Sequence, residues 1–211
     1  MKYEKLLEDN KEWIKKKLSL DENYFTKLAA GQKPPFLYIG CSDSRMPIDT
    51  FTQSEPGSFF IHRNIANQVF PNDMNFLATL EYAVEELGVE HIIVSGHYNC
   101  GGVKAAYDKC RHSSIISSWL MPLKKLEVEY REELKSIETE EERLDRLTEL
   151  NVLEQLKHIF ELSIIRNKIE SGVYPRIHGW ILDIRHGGII EIEIPYEDWK
   201  SKGIIPKEYA I

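Results

Sequence analysis

Apolar residues at Leu6, Leu7, Trp13, Ile14 and Leu18 recur at roughly helical spacing between lysines and glutamates, which predicts an amphipathic opening helix over 3–18. The pattern then changes. Pro35-Phe-Leu-Tyr-Ile-Gly40 is short, aromatic and branched, as a buried strand is, and Ser58-Phe-Phe-Ile-His62 is a second such run, entered through the turn signal Glu55-Pro-Gly57. Asn75 to Leu87 reads as a helix stopped by Gly88, and His91-Ile-Ile-Val-Ser-Gly96 as another buried strand. Gly101-Gly102 opens a short helical stretch to about Tyr107. Between Ile115 and Ile169 the pattern predicts two or three helices, the last with Leu153, Leu156, Phe160 and Ile164 on one face. Arg176 to Ile184 and Ile189 to Ile194 form a closing strand pair across Arg185-His-Gly-Gly188. Strands alternating with helices predict an α/β fold: a mostly parallel central β-sheet flanked by helices, with an N-terminal helical arm over 1–30 and one domain over 1–211.

Composition narrows the function. With 42% hydrophobic and 29% charged residues, the 211-residue chain has an ordinary globular composition. Its formal charge of −7 gives no electrostatic reason to bind nucleic acid or an anionic membrane. The longest apolar runs fall far short of the ~20 residues that span a bilayer, and the first residues lack the apolar core of a secretory signal. The cytoplasm is therefore the expected location. Three cysteines, an odd number, read better as ligands or free thiols than as disulfides.

Two polar clusters begin where buried strands end: Cys41-Ser-Asp-Ser-Arg45 and His97-Tyr-Asn-Cys100-Gly-Gly102. Open α/β sheets bind ligands at the carboxyl ends of their strands, so adjacent strands would bring both clusters to one cavity. Two thiolates and an imidazole suit Zn²⁺, and three protein ligands leave a fourth tetrahedral position open, as catalytic zinc requires. Without a metal, Cys41 and Cys100 would be small buried hydrophobes and His97 a hydrogen-bonded core histidine. Asp43 has two roles open to it, as a fourth zinc ligand or as a hydrogen-bond acceptor beside the metal, and Arg45 could clamp it bidentately. A bland surface ion pair is the other reading of that dyad.

These residues resemble a family. CSDSR followed by GHxxCGG is the signature of the β-class carbonic anhydrases, and the resemblance extends to Gly31-Gln-Lys-Pro-Pro35, His62-Arg-Asn-Ile-Ala-Asn67, Glu81-Tyr-Ala-Val84, Glu149-Leu-Asn-Val152 and Ile177-His-Gly-Trp180. It implies one zinc per subunit on Cys41, His97 and Cys100, an Asp43–Arg45 dyad, and reversible hydration of CO₂ to bicarbonate and a proton by attack of zinc hydroxide. Gln32 falls on the family's substrate-binding glutamine, which reaches in from a partner subunit. Phe60, Ile65 and Tyr82 fall on its apolar substrate cleft, with Gly102 beside it. From the residues alone, Phe60, Ile65 and Tyr82 would simply be core. The resemblance also implies a homodimer built by exchange of the amino-terminal helices, able to associate into a homotetramer.

Some bacterial members carry an inhibitory bicarbonate site made of Trp, Arg and Tyr. Here the Arg position is Arg63, but Tyr38 and Leu182 stand at the other two, so weak or absent bicarbonate locking is expected, with Asp43 left to Arg45. His62, His91, His112, His158, His178 and His186 read as surface or structural groups, Cys110 as a nonligand, and the acidic run 138–142 as a solvated helix start. Three other functions are open: a carbonyl sulfide or carbon disulfide hydrolase on the same scaffold, a noncatalytic zinc or bicarbonate sensor, and a redox thiol protein.

Overall fold

The computed structural model describes residues 2–108 and 114–210, so Cys110 and His112 lie outside the described residues. The chain divides into two compact units, 1–33 and 34–211.

The first unit holds α1 (Tyr3–Leu20) and α2 (Tyr24–Ala29). Trp13, Tyr24 and Phe25 meet edge to face, with ring centroids 5.1 to 6.2 Å apart. The ion pair of Lys27 with Asp21, at 2.6 Å, ties the turn between the helices to α2. No residue of α1 is buried, and its periodic residues Leu6 and Leu7 stay exposed.

The second unit is built on five strands: β1 (Phe36–Cys41), β2 (Phe59–Asn64), β3 (His91–His97), β4 (Arg176–Asp183) and β5 (Gly188–Ile192). Their spatial order is β2-β1-β3-β4-β5. The first three pairings are parallel and β4–β5 is antiparallel, so the predicted mostly parallel sheet is observed. Both clusters identified in the sequence sit where the strand order reverses, since β2 lies to one side of β1 and β3 to the other. A crevice outside the carboxyl ends of two strands at such a reversal is where open α/β sheets place their ligands.

Helices α3 (Ile48–Thr52), α4 (Met74–Glu81), α5 (Gly101–Tyr107), α6 (Ser114–Trp119), α7 (Met121–Glu129), α8 (Arg131–Ser136), α9 (Glu140–Glu161), α10 (Ser163–Glu170) and α11 (Tyr196–Ser201) complete the unit. The stretch expected to hold two or three helices therefore holds five, α6 to α10. One break between them comes at Leu162, whose extended backbone ends α9 before Ser163 restarts the helix. The helix expected over 75–87 stops being α-helical at Glu81 and runs into a π-helical turn over Tyr82–Glu86. Gly88, at φ +64°, then ends it in a backbone state that favours glycine.

α9 is the pillar of the core. The acidic run forms its start, where Thr139 and Glu142 make a reciprocal capping box. Leu147, Val152, Leu156, Ile159 and Phe160 are buried along it, each contributing about 1.5–3 kcal/mol by leaving water. It lies this close because the strands give way: a Cβ on Gly96 would come within 2.8 Å of Val152, and one on Gly179 within 2.8 Å of Leu156. On the other face of the sheet, Tyr38, Ile48 and Ile93 form a smaller cluster with Phe59 and Trp180. Among the described residues no helix is long and apolar enough to cross a membrane.

Candidate metal centre

Cys41 is the last residue of β1 and His97 the last of β3, while Cys100 stands just before the first residue of α5. The sheet thus brings to one point residues far apart in the chain. One ligand atom from each lies within 4.8 Å of the others, and all three residues are buried. The sulfurs of Cys41 and Cys100 are 3.9 Å apart. A tetrahedral ion with zinc–sulfur bonds of ~2.3 Å needs its sulfurs about 3.8 Å apart, so the pair is set for a metal. His97 supplies the decisive observation. Its Nδ1 bonds the Tyr98 carbonyl at 3.0 Å, which leaves Nε2 as the free lone pair, and Nε2 is buried with no protein partner. A buried nitrogen left without a bond costs about 1–3 kcal/mol, an unexplained loss unless something else binds there. These residues fit Zn²⁺.

The thiol environment agrees. Cys41 is pulled well down, first by the hydrogen bond from Cys100, against the effect of burial. Cys100 is pushed up by that same bond and by burial, while the N–H groups of Gly102 and Val103 act to lower it. Both sulfurs ligate as thiolates, so a divalent cation bound here would displace whatever protons they carry.

Asp43 is not among the converging ligand atoms. Both its oxygens face Arg45: Oδ1 accepts from the Arg45 backbone N–H and Nε, each at 2.9 Å, and Oδ2 accepts from a terminal guanidinium nitrogen at 2.7 Å. Arg45 holds the Asp43 carboxyl well below the usual carboxylate range. Asp43 Oδ2 nevertheless lies 3.8 Å from His97 Nε2, at the edge of the metal position. Arg45 also donates to the Asn99 carbonyl at 3.1 Å, so one guanidinium ties the two clusters together. Asn99 sits at φ +56°, a state that Asn tolerates better than most residues.

Arg63 donates to the carbonyls of Cys41 and Asp43, at 2.8 and 2.6 Å, and so braces this loop from β2. Tyr38 is buried beside Ile48 and Ile93, and Leu182 is wholly buried. Of the remaining residues, Gly102 is packed against Ile65: a Cβ there would come within 3.1 Å of the Ile65 side chain. The rings of Phe60 and Tyr82 are 5.7 Å apart. A pure core reading of these apolar residues fails for two of them, because Ile65 is 39% and Tyr82 47% exposed. Gln32 is exposed at the end of the first unit.

A family profile described as carbonic anhydrase matches residues 36–189. A carbonic anhydrase of Emericella nidulans is 39% identical over 194 residues, which cover 92% of this chain and 85% of that protein. This chain belongs to the β-class carbonic anhydrases. Among solved structures, it resembles a chain from work on two tetrameric β-carbonic anhydrases of Sordaria macrospora with a TM-score of 0.86 and 41% identity, covering 90% of this chain and 96% of that one. It resembles a β-carbonic anhydrase of Aspergillus fumigatus with a TM-score of 0.87 and 37% identity, covering 98% and 100%.

What the motifs did not reveal is the support behind this β-class site. The segment 65–67, just after β2, holds Ala66 at φ +61° and Asn67 at φ +47°. The Ala66 carbonyl accepts from Gln68 Nε2 at 2.8 Å and Asn151 Nδ2 at 3.1 Å, and Gln155 in turn bonds Asn151 at 2.9 Å. Gln68, Asn151 and Gln155 are all buried. Polar Thr148, Asn151 and Gln155 among the buried positions of α9 were the only hint of this in the sequence.

Proposed function

We propose that this protein catalyses the reversible hydration of carbon dioxide to bicarbonate and a proton, with zinc held by Cys41, His97 and Cys100. The observation that carries the reading is the buried, unpartnered His97 Nε2 beside two sulfurs at tetrahedral spacing, with Asp43 at its rim. Zinc held there by Cys41, His97 and Cys100 would supply the Lewis acidity that makes water a nucleophile near neutral pH. Asp43, kept ionised and aimed by Arg45, would accept a hydrogen bond from the nucleophilic water or hydroxide and so orient it toward the carbon. A neutral Asp43 would compete as a donor, which is why its depressed pKa matters to the chemistry.

Phe60, Ile65, Tyr82 and the bare backbone at Gly102 offer an apolar wall suited to a small nonpolar gas. Exposure of Ile65 and Tyr82 supports this role, since a substrate wall has to be reachable. Gln32 fits the reading as an amide that binds a carbon dioxide or bicarbonate oxygen in an assembled homodimer, its chain coming from the partner. An exchange of α1 between copies is supported by the exposed apolar Leu6 and Leu7 on that helix. A homotetramer is a further step, in keeping with the tetrameric β-carbonic anhydrases of Sordaria macrospora.

Stopped-flow carbon dioxide hydration at about pH 8.5, on protein of measured zinc content, tests the reading. Zinc-dependent turnover that falls about 100-fold in Asp43→Ala is expected. A zinc-replete wild type that ignores carbon dioxide but hydrolyses carbonyl sulfide or carbon disulfide would overturn the substrate. One inert toward all three gases would make it a binding protein.

A further inference from the structure

The chain carries a formal charge of −7, yet one of its cavities is lined by Lys124, Arg131, Lys135 and Arg143 against only two carboxylates, Asp108 and Glu127. The cavity has a volume of about 680 Å³ and lies where the end of α5 meets α7, α8 and the start of α9, at the opposite end of α5 from Cys100. Lys124 stands one turn before Val128 on α7, and Arg131 one turn before Lys135 on α8, so each helix presents its pair on one face.

These cations are incompletely neutralised. Arg131 reaches Glu127 at only 3.4 Å, and Lys135 turns to Glu132, whose side chain is 86% exposed, so solvent screens that pair. Lys124 is half-buried and makes no ion pair among the described residues. Arg143 is half-buried and pinned: its Nε donates to the Ile137 carbonyl at 2.8 Å and one terminal nitrogen to the Glu138 carbonyl at 3.0 Å. That fixes the plane of the guanidinium and leaves its other terminal nitrogen without a bond among the described residues. Like charges gathered round a cavity repel one another, more so where water is partly excluded, and an anion between them relieves the repulsion.

We propose that this cavity is a binding site for a small organic phosphate. A phosphate group at pH 7 carries a charge of about −1.5 to −2 and three strong acceptor oxygens. The cavity offers it an amine from α7, a guanidinium and an amine from α8, and an already oriented guanidinium from α9. The rest of the wall, Ala106, Tyr107, Val128 and Leu134, is largely apolar, and the volume is that of a site for a whole small molecule, so an organic body fits better than a bare ion. No lining residue belongs to the metal centre, so the inference stands apart from the zinc reading.

Fructose 1,6-bisphosphate is the probe, titrated calorimetrically into the zinc-loaded protein at about 0.15 M salt, where attraction between distant exposed charges is screened. One saturable site per chain is expected. Lys124→Glu is expected to weaken binding at least about tenfold, because a charge-assisted bond becomes a repulsion. Lys125→Glu makes the same change in net charge one residue on, at an exposed position outside this cavity's lining, and is expected to leave the affinity within about twofold. Should Lys124→Glu fold poorly, Lys124→Gln removes the charge at similar size, and a loss in the same direction is expected. No saturable binding up to about 1 mM overturns the inference. So does equal weakening in the two glutamate variants, which would make the attraction one of net charge. Binding that Lys124→Glu leaves intact overturns it as well, by placing the phosphate elsewhere, the metal centre included.

Discussion

The chain contains the same three-residue device twice. Asp43 and Arg45 follow β1; Asp183 ends β4 and Arg185 lies in the β4–β5 turn. In each pair Oδ1 accepts from the backbone N–H and Nε of the arginine two residues on, and Oδ2 from a terminal guanidinium nitrogen, with every distance between 2.7 and 3.0 Å. What differs is what lies beyond the pair. Asp43 Oδ2 looks onto the unpartnered His97 nitrogen, whereas Asp183 Oδ2 looks onto His186 at 3.2 Å, and Arg185 is further engaged by Glu141 and Asp145. Arg185 also lies over the Tyr98 ring, 5.0 Å from its centroid, and Tyr98 carries the carbonyl that fixes His97. One pair thus faces the metal position, and the other braces the wall behind it. A clamped carboxylate is a local motif that either role can use; its function is set by the one direction in which its neighbours leave room.

The comparison breaks most sharply at the carboxylates. Asp43→Asn is expected to lower kcat/KM about 100-fold while zinc content holds, with a Tm loss no larger than that of the same change at the more buried Asp183. Asp183→Asn should do the reverse, keeping kcat/KM within about threefold and lowering Tm by roughly 3–8 °C, because a buried acceptor of three charge-assisted or backbone bonds is weakened. Parallel stopped-flow and thermal unfolding on the two variants decide it. Equal losses of activity would mean that both pairs serve the chemistry.

Much of this was legible beforehand. Thiol and imidazole ligands are rare residue types with steep chemical preferences, and a short buried strand before each cluster placed them at strand ends without knowledge of the sheet order. Legibility failed where the information is in backbone state or in pairing across the chain. Nothing in Ile65-Ala-Asn67 announces the left-handed Ala66, although Asn67 is of a type that tolerates that state. The bond between Trp119 and the Ile65 carbonyl joins residues 54 apart in sequence. The break at Leu162 escaped notice because an apolar residue without glycine or proline ends α9 by tertiary packing rather than by propensity.

The arginines give a smaller contrast and one of sign. Both Asp43 and Asp183 are held below the ordinary carboxylate range, first by hydrogen bonds from their arginines. A depressed folded pKa contributes stability that is fully present above the unfolded value of about 3.9 and is lost as pH falls through the folded value. Removing either arginine raises the folded pKa toward that of the unfolded chain. Arg45→Gln and Arg185→Gln are therefore both expected to move acid unfolding, followed by circular dichroism, to higher pH. Only Arg45→Gln is expected to cost activity, about tenfold at pH 8.5, since only its carboxylate must stay ionised to hold the nucleophile. An activity loss of the same size in Arg185→Gln would show that the brace through Tyr98 reaches His97.

The smallest expected effect sharpens the contrast most finely. Glu141 touches Arg185 at 2.6 Å, yet its side chain is 71% exposed, so solvent screens the pair and its ordering offsets most of what the contact contributes. Glu141→Gln should shift Tm by less than about 2 °C, an effect that vanishes in 0.5 M salt. Asp145, on the same guanidinium, is the internal control. Burial acts to raise its pKa against the pull of Arg185, so Asp145→Asn removes both a desolvation penalty and an ion pair, and the remaining Tm shift should persist in salt. If Glu141→Gln instead lowered turnover at unchanged Tm, the rim of the second pair would be coupled to the metal site, and the division between a chemical and a bracing Asp–Arg pair would not hold.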